Sequence, residues 1–143
     1  MAKALSEKEL VEWVVNYVKS RDAFVKRIVN IDVNSATITL TYPDKRQVYF
    51  ALGSFQGSDR CLACIKPEPD YVLVVLNTEQ NLEALIKSWD TLCKVKNLTI
   101  MFINPDSEID EKWVVKPYVH NQVTEKASLK TGLRSMFETV SPI

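Results

Sequence analysis

Glycine, cysteine and histidine are scarce in this chain, and neither sign of charge is in excess. Gly occurs 3 times in 143 residues, and neither Gly-x-Gly-x-x-Gly nor Gly-Lys-Ser/Thr is present, so the glycine-rich phosphate cradles of nucleotide-binding folds are excluded. Lys plus Arg and Asp plus Glu number 18 each. No global field therefore steers the chain toward nucleic acid or a membrane, and only a local patch can do so. No apolar run reaches the roughly 18 residues of a spanning helix, and the opening MAKALSEKEL is charged throughout, without the apolar core of a secretory signal. No membrane partner is expected. With 3 Cys, an odd number, a disulfide scaffold is disfavoured and a reducing, cytoplasmic location is expected.

What is present is apolar residue in quantity, 46% against 25% charged, which argues against disorder. A chain of about 150 residues buries roughly 70% of its unfolded surface. One domain over residues 1–143 is expected, with a core that needs neither disulfide nor metal.

The periodicity changes along the chain in an informative order. Ser6 and Glu9 form a capping box, and Leu10, Trp13, Val14, Tyr17 and Val18 recur at helical spacing up to about Ser20. The Val- and Ile-rich run from Phe24 to Ile31 reads as a strand. Asn34-Ser35 is a turn signal, and Thr37 to Tyr42 alternates Thr with apolar residues, the pattern of a half-buried strand. Pro43-Asp44 turns the chain into a third strand, Val48 to Leu52, completing an antiparallel meander. Gly53 to Asp70 is irregular. Tyr71 to Leu76 and Leu98 to Ile103 are continuous apolar runs, as in strands buried on both faces. Between them Asn77 or Thr78 can cap a helix whose stripe is Leu82, Leu85, Ile86, Trp89, Leu92 and Cys93. Strand, helix, strand makes a parallel βαβ unit. A short strand at Trp113–Val115 stops at Pro117, and a last helix spans about Thr124 to Thr139, with Leu129, Leu133, Met136, Phe137 and Val140 buried. The expected fold is α/β, a mixed sheet of antiparallel meander plus parallel βαβ unit, flanked by helices.

This order over Glu9 to Asn104 resembles the core of the restriction-endonuclease-like (PD-(D/E)xK) nuclease superfamily. The resemblance implies an acid on one meander strand and acid-x-Lys on the next, holding Mg²⁺ beside the attacking water. Phe24–Ile31, Thr37–Tyr42, Val48–Leu52, Tyr71–Leu76 and Leu98–Ile103 hold no acid, and the single Asp-x-Lys, Asp110 to Lys112, falls in the wrong element. The missing motif argues against catalysis and, with it, against a cofactor. A divergent Mg²⁺-dependent nuclease or phosphodiesterase would have to draw its acids from Glu12, Asp44 and Asp70.

Other constellations point to binding. Lys126, Lys130 and Arg134 recur every four residues on the last helix, a basic stripe able to track phosphates. Its alternative is an ordinary solvated face. Lys19, Arg21, Lys26 and Arg27 form a second cluster. Cys61-x-x-Cys64 is half a zinc site. It lacks a second pair, and adding Cys93 and His120 gives no recognisable zinc spacing, so no metal site is expected. His120 is alone, with no nucleophile motif around it. The reading is a non-catalytic interaction module on a nuclease-like scaffold whose partner is either nucleic acid, through Lys126, Lys130, Arg134, Lys26 and Arg27, or a protein. The alternatives are the divergent nuclease and a structural subunit that meets a protein partner or a second copy through an exposed strand such as Trp113–Val115.

Overall fold

The structure, a computed structural model, describes residues 7–55, 62–63, 65–66, 68–105, 111–123 and 125–140, with side chains for all of these but Glu7, Glu111, Val123 and Lys126. The elements in chain order are α1 (Glu7–Asp22), β1 (Asn30–Asn34), β2 (Thr37–Thr41), β3 (Arg46–Gly53), β4 (Asp70–Leu76), α2 (Glu79–Lys87), α3 (Trp89–Leu92), β5 (Leu98–Asn104), β6 (Glu111–Val115), α4 (Pro117–Val123) and α5 (Lys126–Phe137). The six strands form one sheet in sequential order. β1, β2 and β3 are antiparallel neighbours, β3, β4 and β5 run parallel, and β6 returns antiparallel to β5. The protein is thus α/β with a mixed sheet and helices on both faces. No helix among the described residues is long and apolar enough to cross a membrane.

Strand alternation divides the core in two. On one face Ile38, Leu40, Tyr49, Ala51, Val72, Val74, Met101 and Ile103 pack beneath Leu10, Val14, Tyr17 and Val18 of α1. On the other, Phe50, Leu73, Val75, Ile100, Phe102 and Trp113 meet Leu82 and Leu85 of α2, Trp89 and Leu92 of α3, and Leu133 and Phe137 of α5. The continuous apolar runs of β4 and β5 follow from being buried on both faces. The three Thr of β2 face away from α1 and stay half-buried, while Ile38 and Leu40 are fully covered. Trp89 and Trp113 are core, and Trp13 is half-buried, stacked on Tyr17 at 5.3 Å.

Four expectations change. Phe24 to Ile31 is not a strand. Its amides turn back on α1, with Lys26 N–H donating to the Asp22 carbonyl at 2.7 Å and Arg27 and Ile28 N–H to the Asp22 carboxylate at 2.8 and 3.1 Å, and pairing begins at Asn30. The helix after β4 starts on Thr78, whose hydroxyl accepts the Asn81 N–H, and breaks at Ser88 into two pieces. Pro117 opens a helix rather than only closing a strand, as its locked φ permits at a first helical position. Met136 is 41% exposed, because α5 lays only Leu133 and Phe137 of its stripe squarely on the sheet. One feature of β3 needs glycine: the register with β4 shifts between Ala51 and Gly53, and Gly53 takes φ +75° at that bulge, beneath Leu10.

Candidate nucleic-acid interface

Among the described residues α1 is the one helix over its face of the sheet, and beyond its C-terminal half the face opens. Alternation brings Gln47 and Tyr49 of β3, Val72 of β4, Thr99 and Met101 of β5, and Lys112 and Val114 of β6 to this side. They floor a recess of about 480 Å³, walled by Tyr17 and Arg21 of α1 and by Lys96 and Lys116 at the ends of the loops. A second recess of about 320 Å³, lined by Arg21, Val25, Arg27, Tyr42 and Lys45, shares Arg21, Gln47 and Tyr49 with the first. The two form one trough across the sheet.

Its charge is one-sided. Arg21, Arg27, Lys45, Lys96, Lys112 and Lys116 line it, against the carboxylates Asp22 and Asp70. Asp22 is occupied by the backbone amides of Arg27 and Ile28. Asp44, at the rim, offsets Arg27 at 3.3 Å. In a chain with no net charge this concentrates positive potential in one concavity, where low-dielectric walls focus it.

Tyr17 organises the centre. Its ring is buried and stacked on Trp13; Arg21 Nη1 donates to its hydroxyl at 2.9 Å, with the guanidinium 5.5 Å from the ring centroid, and Lys112 Nζ lies 5.1 Å from the same centroid. Two cations from different elements thus converge on one ring, within cation–π reach. The Tyr17 oxygen, by charge attraction and then by its hydrogen bond, holds Arg21 further toward its protonated form. Lys96 and Lys45 lie 5.8 Å from the rings of Tyr118 and Tyr42. Burial pushes the phenol of Tyr49, on the floor, up to about 12.

No family model, curated protein or solved structure matches this chain.

Of the residues singled out from sequence, Arg27 lines the trough and Lys26 lies in the turn beside it, lining an adjoining hollow with Lys19. Lys130 and Arg134 are on α5, across the sheet; Lys126 is on the same helix, its side chain undescribed. Arg134 is held by Glu79 in a bidentate pair at 2.9 and 3.0 Å. The two basic clusters therefore do not form one surface. Asp44 and Asp70 line a common recess with Glu68. Glu12 lies by Val33 and Ser35, ahead of β2, whereas Asp44 follows β2, so the length of that strand separates them. Among the described residues no three His, Cys, Asp or Glu side chains gather in a way that could hold a metal ion. Cys93 is a free, half-buried thiol, and Cys61 and Cys64 lie outside the described residues. The His120 ring rests on the backbone of Lys116 at the start of α4. Sequence reasoning missed Lys45, Lys96 and Lys112. The four-residue spacing of Lys112 and Lys116 was the available signal, since on a strand it puts both on one face.

Proposed function

We propose that this protein is a non-catalytic interaction module that binds nucleic acid through the basic trough, on a scaffold of the restriction-endonuclease-like kind. The observation that carries the reading is the convergence of Arg21 and Lys112 on Tyr17, with Lys116, Lys96 and Lys45 along the same concavity. A polyanion offers regularly spaced charge to such a line of cations, and release of its counterions drives binding. Support for the scaffold comes from the order of helix, meander, buried strand, helix and buried strand. Support for the absence of cleavage comes from the meander residues on the trough side, Ile38 and Leu40 of β2 and Gln47 and Tyr49 of β3, where the resemblance calls for acids.

The test is fluorescence anisotropy with labelled oligonucleotides roughly 12 nucleotides long, single-stranded and duplex. Binding is expected to weaken steeply with salt, and a Lys112→Gln/Lys116→Gln double variant should make the slope of log K against log salt shallower by about 1.4 for a single strand. Absence of salt-dependent binding by the unaltered protein would refute the reading.

The divergent-nuclease reading has one observation in its favour. Asp70 lines both the trough and the neighbouring recess that holds Asp44 and Glu68. Cleavage of a bound oligonucleotide in Mg²⁺, lost in Asp70→Asn with binding retained, would establish it in place of the non-catalytic one.

A further inference from the structure

The turn that follows α1 holds an aromatic ring in solvent. Phe24 is 97% exposed, and Val25 and Val29 beside it are 64% and 66% exposed. Single exposed apolar residues are ordinary, but a cluster of them on an ordered turn calls for a partner. This turn is ordered by its backbone. Asp22 takes three of its amides, through its carbonyl to Lys26 and through its carboxylate to Arg27 and Ile28, and Val29 N–H donates to the Thr41 carbonyl at 2.7 Å. Lys26 adopts φ +50° within it. The chain spends a carboxylate on fixing a loop whose apolar side chains contact little of the protein.

Cations flank the ring in the chain. Lys19 and Lys26 are exposed on either side of it in the chain, and Val25, the next residue, lines the trough together with Arg21 and Arg27. An exposed aromatic ring one residue from the lining of a cationic trough matches a strand in which bases and phosphates alternate. Every base offers a π-face, and stacking on an aromatic side chain contributes alongside the phosphate contacts. A duplex keeps its bases stacked on one another and offers none to such a ring without being opened.

We propose that Phe24 is a base-stacking residue, and that the trough's ligand is accordingly single-stranded nucleic acid. This rests on the nucleic-acid reading above and adds to it the state of the strand and the residue that selects it.

The experiment compares Phe24→Ala, Phe24→Leu and Phe24→Trp with the unaltered protein, on one labelled single strand and on its duplex. Because Phe24 is almost wholly exposed, the variants keep the fold, which thermal unfolding checks. Ala and Leu should each weaken single-strand binding about 5- to 150-fold. Trp should retain it, because it keeps a π-face, whereas Leu keeps only apolar bulk. Duplex affinity and the salt slope should be unchanged. A strand containing 2-aminopurine should lose fluorescence on binding the unaltered protein and keep it on binding Phe24→Ala. Equal single-strand affinity of the Ala variant and the unaltered protein overturns the inference while leaving the trough intact, as does full retention by Leu. Loss in the Ala variant of self-association, or of sedimentation with phosphatidylserine vesicles, at unchanged oligonucleotide affinity, overturns it in favour of a second copy or a lipid surface. If the unaltered protein binds no oligonucleotide, the nucleic-acid reading itself fails.

Discussion

The indole N–H of Trp113 donates to the side-chain oxygen of Asn77 at 2.8 Å, both groups buried between β4, β6 and the end of α5. The amide nitrogen of Asn77 donates in turn to the carbonyls of Phe137 and Val140 at 3.2 and 3.1 Å. One fully buried side chain thus supplies partners to an edge strand and to the last turn of a helix. The Trp113 ring also stacks on Phe102 of β5 at 4.2 Å. This joint fixes β6 from behind, and the opposite side of β6 carries Lys112 into the trough.

Asn77→Ala should therefore destabilise the protein by about 2–4 kcal/mol, because it takes the acceptor from a buried indole N–H and a buried donor from two carbonyls, of which that of Phe137 keeps only the long bond from the Val140 amide. Urea unfolding should show a lower midpoint at unchanged slope. Asn77→Asp, which keeps the shape and the acceptor for Trp113 but removes both donors, should also destabilise. A loss below about 0.5 kcal/mol in either variant, the size of an ordinary surface substitution, would mean that water replaces these bonds.

The parts of this fold legible in the sequence were those whose pattern has one physical cause. The alternation of Thr37 to Tyr42 and the unbroken runs from Tyr71 and Leu98 each report how many faces of a strand are covered, and the sheet places them accordingly. Phe24 to Ile31 misled because apolar composition was read as burial. Asp22 claims the amides a strand would need, and Phe24, Val25 and Val29 are held outward while only Ile28 and Ile31 pack partly against the core. The trough was only half legible. Arg21 and Arg27 stood out as a run, but Lys45, Lys96 and Lys112 come from three separate loops and strands, brought together by sheet pairing that local patterns do not encode. Asn77 as a hub was invisible for the same reason: its partners lie 36 to 63 residues away.

Tyr49 gives the trough a titration of its own. Burial, ahead of the nearby oxygens of Tyr17 and Tyr42, raises its phenol from 10.0 to about 12 in the folded state. The folded protein holds that proton more tightly than the unfolded chain, so the contribution to stability is complete below pH 10 and is lost as pH rises from 10 to about 12, roughly 2–3 kcal/mol in all. Ultraviolet titration should show an ionisation step at about 12, and Tyr49→Phe should remove both that step and this part of the alkaline loss. A titration with no step at about 12 would contradict the burial of this phenol.

Glu79 and Arg134 provide the test that separates the two basic surfaces. The bidentate hydrogen bonds from Arg134, and then its charge, hold the Glu79 carboxyl below the ordinary carboxylate range. The pair therefore helps join α2 to α5 at pH values above the ordinary carboxylate pKa, and its help fades as pH falls through the lowered value of Glu79. Arg134→Gln should lower stability slightly at neutral pH, with the deficit vanishing in acid and in high salt, as for any exposed pair. Its effect on nucleic-acid binding should be nil, even combined with Lys130→Gln, because α5 covers the face of the sheet opposite α1 and the trough. Arg21→Gln, by contrast, should weaken binding and make its salt slope shallower by about 0.7 for a single strand. Should the α5 double variant lose as much affinity as Lys112→Gln/Lys116→Gln, phosphates would have to lie along Lys126, Lys130 and Arg134. The polyanion would then have to displace Glu79 from Arg134, and binding would strengthen as Glu79 is protonated in acid. In the trough Arg21 is held by the Tyr17 hydroxyl and the ion pair a polyanion would open is Arg27 with Asp44, so the variants are what separate the two surfaces.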